Sequence, residues 1–119
     1  MPMDQVTQQI HKYEIAIFSP TENHPELLAR IRLFGETSEI AAIQFHPDEA
    51  SLPEPEFETP ASHKMMHMPM SRFHAVMDML RMEKPCYVYC SRAAGNVVCI
   101  TTEKEPVGEQ EGFVRRPPF

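Results

Sequence analysis

From Pro69 to Thr102 the chain reads as one amphipathic helix that passes directly into a β-hairpin, and this pair limits the fold more than any other stretch. On a helix advancing about 100° per residue, Met70, Val76, Met77 and Leu80 lie within about 60° of Phe73. That is the i, i+3, i+4, i+7 pattern of a buried stripe. Pro69 suits a first helical turn, where its missing N–H costs nothing, and Pro85 ends the helix by pushing the residue before it out of the α region. His74, Asp78 and Arg81 form the polar side. Ala75, Met79 and Met82 form a second apolar strip opposite the first, and one layer of core cannot bury both.

Behind the helix, Cys86–Ser91 and Asn96–Thr102 are rich in β-branched and aromatic residues, with Arg92–Gly95 as a four-residue turn between them. A register that sets Ser91 opposite Asn96 puts Cys86, Cys90 and Cys99 on one face. Tyr87, Tyr89, Val98 and Ile100 then share the other. Two apolar faces call for two covers, of which the helix is one.

The totals narrow the function classes. A 119-residue chain with 42% hydrophobic residues is expected to form a single domain over 1–119. Twelve prolines against four glycines point to rigid turns and strand ends rather than a helical bundle. A net charge of −6 disfavours a general nucleic-acid binder and adhesion to an anionic membrane. No apolar run approaches the ~20 residues needed to span a bilayer, and MPMDQVTQQIHK lacks the basic start and apolar core of a signal peptide. An odd cysteine count of three fits free thiols in a reducing compartment, hence the cytoplasm.

In chain order, residues 1–9 are polar and read as a frayed end. Ile10–Ser19 alternates as a half-buried strand. Leu28–Phe34 and Glu39–His46 read as a hairpin turning through Gly35–Ser38. A helix over Pro25–Phe34 is the competing reading, and it strands Leu33 on a polar side. Residues 47–61 are acidic and proline-rich and read as a surface loop. Residues 62–68 suit a short strand, and 103–119 a flexible tail. The expected class is α+β: a mainly antiparallel sheet of about five to six strands, with one principal amphipathic helix packed on one face.

The chemistry-bearing residues give weak signals. Cys86 and Cys90, four apart on a strand, sit roughly 13 Å from each other, too far for a shared zinc ion or a disulfide. On a helix His63 and His67 would share a face and could bind a metal, but on a strand they lie roughly 13 Å apart, so no metal or other cofactor is expected. No nucleophile elbow, glycine-rich phosphate loop or HExxH motif is present, which leaves an enzyme using a Cys or His without support. Arg30, Arg32 and Phe34, with Tyr87 and Tyr89 as stacking faces, outline in miniature the surface of a single-strand nucleic-acid binder. Ala75, Met79, Met82, Tyr87 and Tyr89 outline an interaction surface, because methionine adapts to irregular contacts.

The segments FHPD (Phe45–Asp48), LRMEKPCYVY (Leu80–Tyr89) and EPVGE (Glu105–Glu109) resemble a family of small, single-domain, uncharacterised bacterial proteins. That resemblance implies a bacterial cytosol and supports the hairpin over Leu28–His46; it implies no activity. The reading from the residues is a non-catalytic interaction or regulatory module that forms a homodimer. A single-stranded nucleic-acid-binding domain and an uncharacterised enzyme are the alternatives.

Overall fold

The computed structural model describes residues 4–19, 21–23, 26–93 and 95–102. Its class is α+β, with two sheets and one short helix. The strands are β1 (Gln5–Ile10), β2 (Lys12–Ile17), β3 (Ala29–Phe34), β4 (Glu39–His46), β5 (Lys64–Pro69), β6 (Cys86–Ser91) and β7 (Val97–Thr102). The helix α1 (Phe73–Met82) follows a 3₁₀ turn over Met70–Arg72. The N-cap Arg72 makes no side-chain cap bond, so packing of the apolar face does most to hold the helix.

The four-stranded sheet has the order β2-β3-β4-β5, and the three-stranded sheet the order β1-β6-β7. β1 and β2 are nearly one strand, broken at His11, whose N–H donates to the Phe34 carbonyl at 2.8 Å. The break lets one stretch of chain serve both sheets. Ala29, Ile31 and Leu33 alternate with half-buried Arg30, Arg32 and Phe34 along β3, as the sequence predicts for a strand with one covered face. Gly35 closes the β3–β4 turn, with its N–H on the Ser38 carbonyl at 2.8 Å. A Cβ there would sit 3.1 Å from the Ile40 side chain, a tight contact that Ile40 would have to relieve.

One core joins the layers. Ile31, Leu33, Ile43 and Phe45 from the large sheet meet Val76, Met77 and Leu80 of α1 and Cys86 and Val88 of the small sheet. Phe45 and Phe73 pack edge to face, with centroids 5.1 Å apart and planes at 74°.

Four expectations need correcting. There are two sheets, not one. β5 runs parallel to β4, because residues 47–63 give the chain length to cross back over. Gln5–Ile10 is a strand paired with β6, not a frayed end. The β6–β7 register is shifted by one: Cys90 faces Val98, Val88 faces Ile100 and Tyr89 faces Cys99. Gly95 (φ 84°) and Asn96 (φ 60°) both take left-handed geometry, so Asn96 belongs to the turn and the loop gains a residue. Cys99 therefore lies on the tyrosine face, while Val98 and Ile100 turn toward the core.

Among the described residues, no helix is long and apolar enough to cross a membrane. The predicted tail at 103–119 lies outside the described residues.

Candidate functional site

The side of the four-stranded sheet away from α1 carries two polar networks. In the first, Arg32 bridges Glu14 and Glu39 at 2.8 Å each, and His63 Nε2 meets the other oxygen of Glu39 at 2.7 Å. Burial pushes the Glu39 carboxyl up, but the hydrogen bonds from His63 and Arg32 outweigh it and hold the group below the ordinary carboxylate value.

The second network ties residues 47–63 back to the sheet. Glu56 exchanges both backbone hydrogen bonds with Met65, each at 2.9 Å, and so adds one position to the margin of β5. Its side chain then faces His67, whose Nε2 lies 2.7 Å from Glu56 Oε2. His67 Nδ1 lies 3.0 Å from His46 Nε2, and the His67 side chain is only 5% exposed. The carboxylate fixes the direction of this chain. Glu56 accepts, so Nε2 of a neutral His67 donates and its Nδ1 accepts. His46 Nε2 must then donate, which leaves the lone pair of a neutral His46 on Nδ1.

The two ring centres are 5.2 Å apart, about two imidazole radii more than the 3.0 Å nitrogen separation. The nitrogens therefore point at each other, as in an N–H···N bond, rather than converging on an ion between them. No three His, Cys, Asp or Glu side chains come together as a metal site among the described residues.

The residues singled out in the sequence separate into distinct places. Arg30 stacks over Phe18 at 5.3 Å, and Arg32 over Phe34 at 5.2 Å. Arg32 already serves two carboxylates, which leaves its charge neutralised toward a phosphate. His63 and His67 have different partners, as residues flanking one another on a strand edge should. On α1, Met79 packs against the core, whereas Ala75 is exposed and Met82 is 78% exposed. Tyr87 and Tyr89 are half-buried on the outer side of the small sheet, and Tyr89 donates to Gln5 Oε1 at 2.7 Å. Burial raises the thiols of Cys86, Cys90 and Cys99 above the ordinary cysteine value, so none is an activated nucleophile.

Two features escape the sequence reading. Lys64 is wholly buried on the inner side of β5, with Nζ donating to the Pro60 carbonyl at 2.9 Å and to Gln8 Oε1. Among the described residues no carboxylate pairs with it, and burial lowers its pKa while the nearby Cys90 thiol opposes that shift. The polar Gln8, on an otherwise apolar inner face of β1, is the one trace of this in the sequence. The other feature is the edge of β2. Ile15 and Ile17 lie on the core side of the sheet yet are 39% and 66% exposed. Alternation in Tyr13-Glu14-Ile15-Ala16-Ile17 marks a covered face; the cover is missing among the described residues.

No protein-family model, curated protein or solved structure matches this chain. The resemblance at residues 45–48, 80–89 and 105–109 thus brings no family assignment.

Proposed function

We propose that this chain is a non-catalytic cytoplasmic interaction module that forms a homodimer, and that the edge of β2 is the joint. The observation that carries the reading is Ile15 and Ile17, uncovered on a strand with no partner on its outer side among the described residues. Apolar edge strands add further strands, and soluble proteins block them when association is unwanted. β2 carries no proline and no bulge, and its charges, Lys12 and Glu14, lie on the opposite face from the isoleucines.

The strand is also self-complementary. A two-fold antiparallel pairing keeps each side chain on its own face only in every second register. Centred on Ile15, such a pairing sets Ile15 against its twin and Tyr13 against Ile17 of the second copy. Glu14 then faces Ala16 rather than another Glu14, which avoids a like-charge pair. The four-stranded sheet becomes an eight-stranded one across the axis, an isologous contact. Exposed Met82 and Ala75 add apolar surface on the helix. Three unpaired thiols support a reducing compartment.

The two alternatives gain less. A single-strand nucleic-acid surface at Arg30, Arg32 and Phe34 loses most of its charge to Glu14 and Glu39, and an enzyme gains no activated thiol.

Light scattering after size exclusion tests the reading. At high micromolar concentration the expected mass is twice the 13.7 kDa of the chain, and Ile17→Glu returns it to a monomer. A wild-type monomer at that concentration removes the proposal.

A further inference from the structure

A cleft of about 910 Å³ opens where the β1–β2 bend faces the end of α1 and the start of β6. Its volume falls within the range of about 300–1,000 Å³ typical of small-molecule sites. The floor is apolar: Ile10, Tyr13, Leu80 and Cys86. The exposed rim of the mouth is cationic through Lys12, Arg81 and Lys84, with Glu83 the one carboxylate in the lining.

That mouth is anomalous in a chain of net charge −6. Elsewhere the cations are spoken for. Arg32 holds two carboxylates, Lys64 is buried on Pro60 and Gln8, Arg30 covers Phe18, and Arg92 covers Phe57. Among the described lysines and arginines, only Lys12, Arg72, Arg81 and Lys84 have neither a side-chain hydrogen bond, an ion pair nor a ring to stack on. Three of these four converge on the cleft. Two terms oppose a negative ligand, Glu83 and the partial negative charge at the end of α1. The second is reduced because the Met79 carbonyl already accepts the Glu83 N–H at 3.0 Å and the Cys86 thiol at 3.4 Å. Three whole positive charges outweigh what remains.

We propose that the cleft binds an amphiphilic organic anion, with its apolar body on Ile10, Tyr13 and Leu80 and its charged head between Lys12, Arg81 and Lys84. A compact inorganic anion would leave the floor unused, and a neutral apolar molecule would leave the cations unmatched. The acidic head is a carboxylate or a phosphate ester, and the cleft is wide enough for either.

The test uses the full chain and 1-anilinonaphthalene-8-sulfonate, an anionic fluorophore, displaced by decanoate, decyl phosphate or decyltrimethylammonium. Saturable binding is expected, with displacement by one or both anions at concentrations at least about 10-fold below the cation, the ratio for a single charge-selective contact pair. Decanoate and decyl phosphate compared with each other identify the head group. Arg81→Glu and Lys84→Glu lie off β2, so neither acts through the strand edge. Each is expected to weaken the anions about 3- to 10-fold, as reversing an exposed charge does, with unchanged circular dichroism and melting temperature. Backbone amide shifts are expected to be largest at Leu80 and Ile10, which line the cleft and lie off β2, and not at Ile17. Equal displacement by cation and anion, anion affinity unchanged in both folded variants, or shifts centred on Ile17 would each overturn the proposal.

Discussion

Lys64→Met isolates what a wholly buried ammonium does to this fold. Methionine has nearly the length of lysine and no charge, so it removes the desolvation cost of the cation, which is several kcal/mol. Against that, two hydrogen bonds from a charged donor are lost, each worth about 1.5–3 kcal/mol. The Pro60 carbonyl loses its Lys64 donor, at about 1–3 kcal/mol, while half-exposed Gln8 can turn to water. These terms nearly cancel, and the net change at pH 7 is expected within about 2 kcal/mol of zero. The pH dependence is the sharper signature. Burial lowers the Lys64 pKa in the folded chain, so between that lowered value and the unfolded value of about 10.4 the unfolded chain binds more protons. Stability from this group therefore rises with pH across that window and is lost as pH falls through the folded value. The slope reaches at most about 1.4 kcal/mol per pH unit for one proton. The thiols act oppositely: their raised pKa values give stability that is present at low pH and lost as pH rises through the folded values. Urea unfolding of wild type and variant under reductant at pH 7, 8, 9 and 10 cancels the thiol contribution in the difference. A Cys90→Ala background removes the one thiol coupled to the amine. Wild type is expected to gain stability relative to Lys64→Met as pH rises. A difference constant to within about 0.5 kcal/mol, near the extrapolation error, refutes the reasoning.

Two further outcomes follow from the site geometry. With a thiol reagent, Cys99 on the outer side of the small sheet is expected to react first, and Cys86 and Cys90, 5% and 0% exposed, only on unfolding; three equal rates would contradict the observed register. Nitrogen-15 spectra near neutral pH are expected to show both His46 and His67 as Nε2–H tautomers. Glu56→Gln is expected to relax that preference in His67, and an Nδ1–H tautomer at His67 in the unaltered chain would disprove the direction assigned to the relay.

Local signals made much of this architecture legible. The alternation of Ala29-Arg30-Ile31-Arg32-Leu33, with Gly35 after it, identifies the β3–β4 hairpin, and the stripe around Phe73 identifies α1. What stayed hidden depended on distant partners. β1 reads as polar because Gln8 points inward to a lysine 56 residues away. The β6–β7 register turned on Asn96 taking a left-handed conformation that its identity permits but does not require. The parallel β4–β5 pairing has no local signature, and the Glu56–His67–His46 chain exists only because residues 47–63 return to the sheet. The cleft is hidden for the same reason, as Lys12 lies far along the chain from Arg81 and Lys84.

The Glu56–Met65 exchange has a bearing on how large any assembly can grow. With the far margin of the big sheet occupied at Met65 by the chain's own backbone, β2 is the one margin of that sheet with no such cover among the described residues. Stacking through β2 would stop at two copies instead of running on into a fibre.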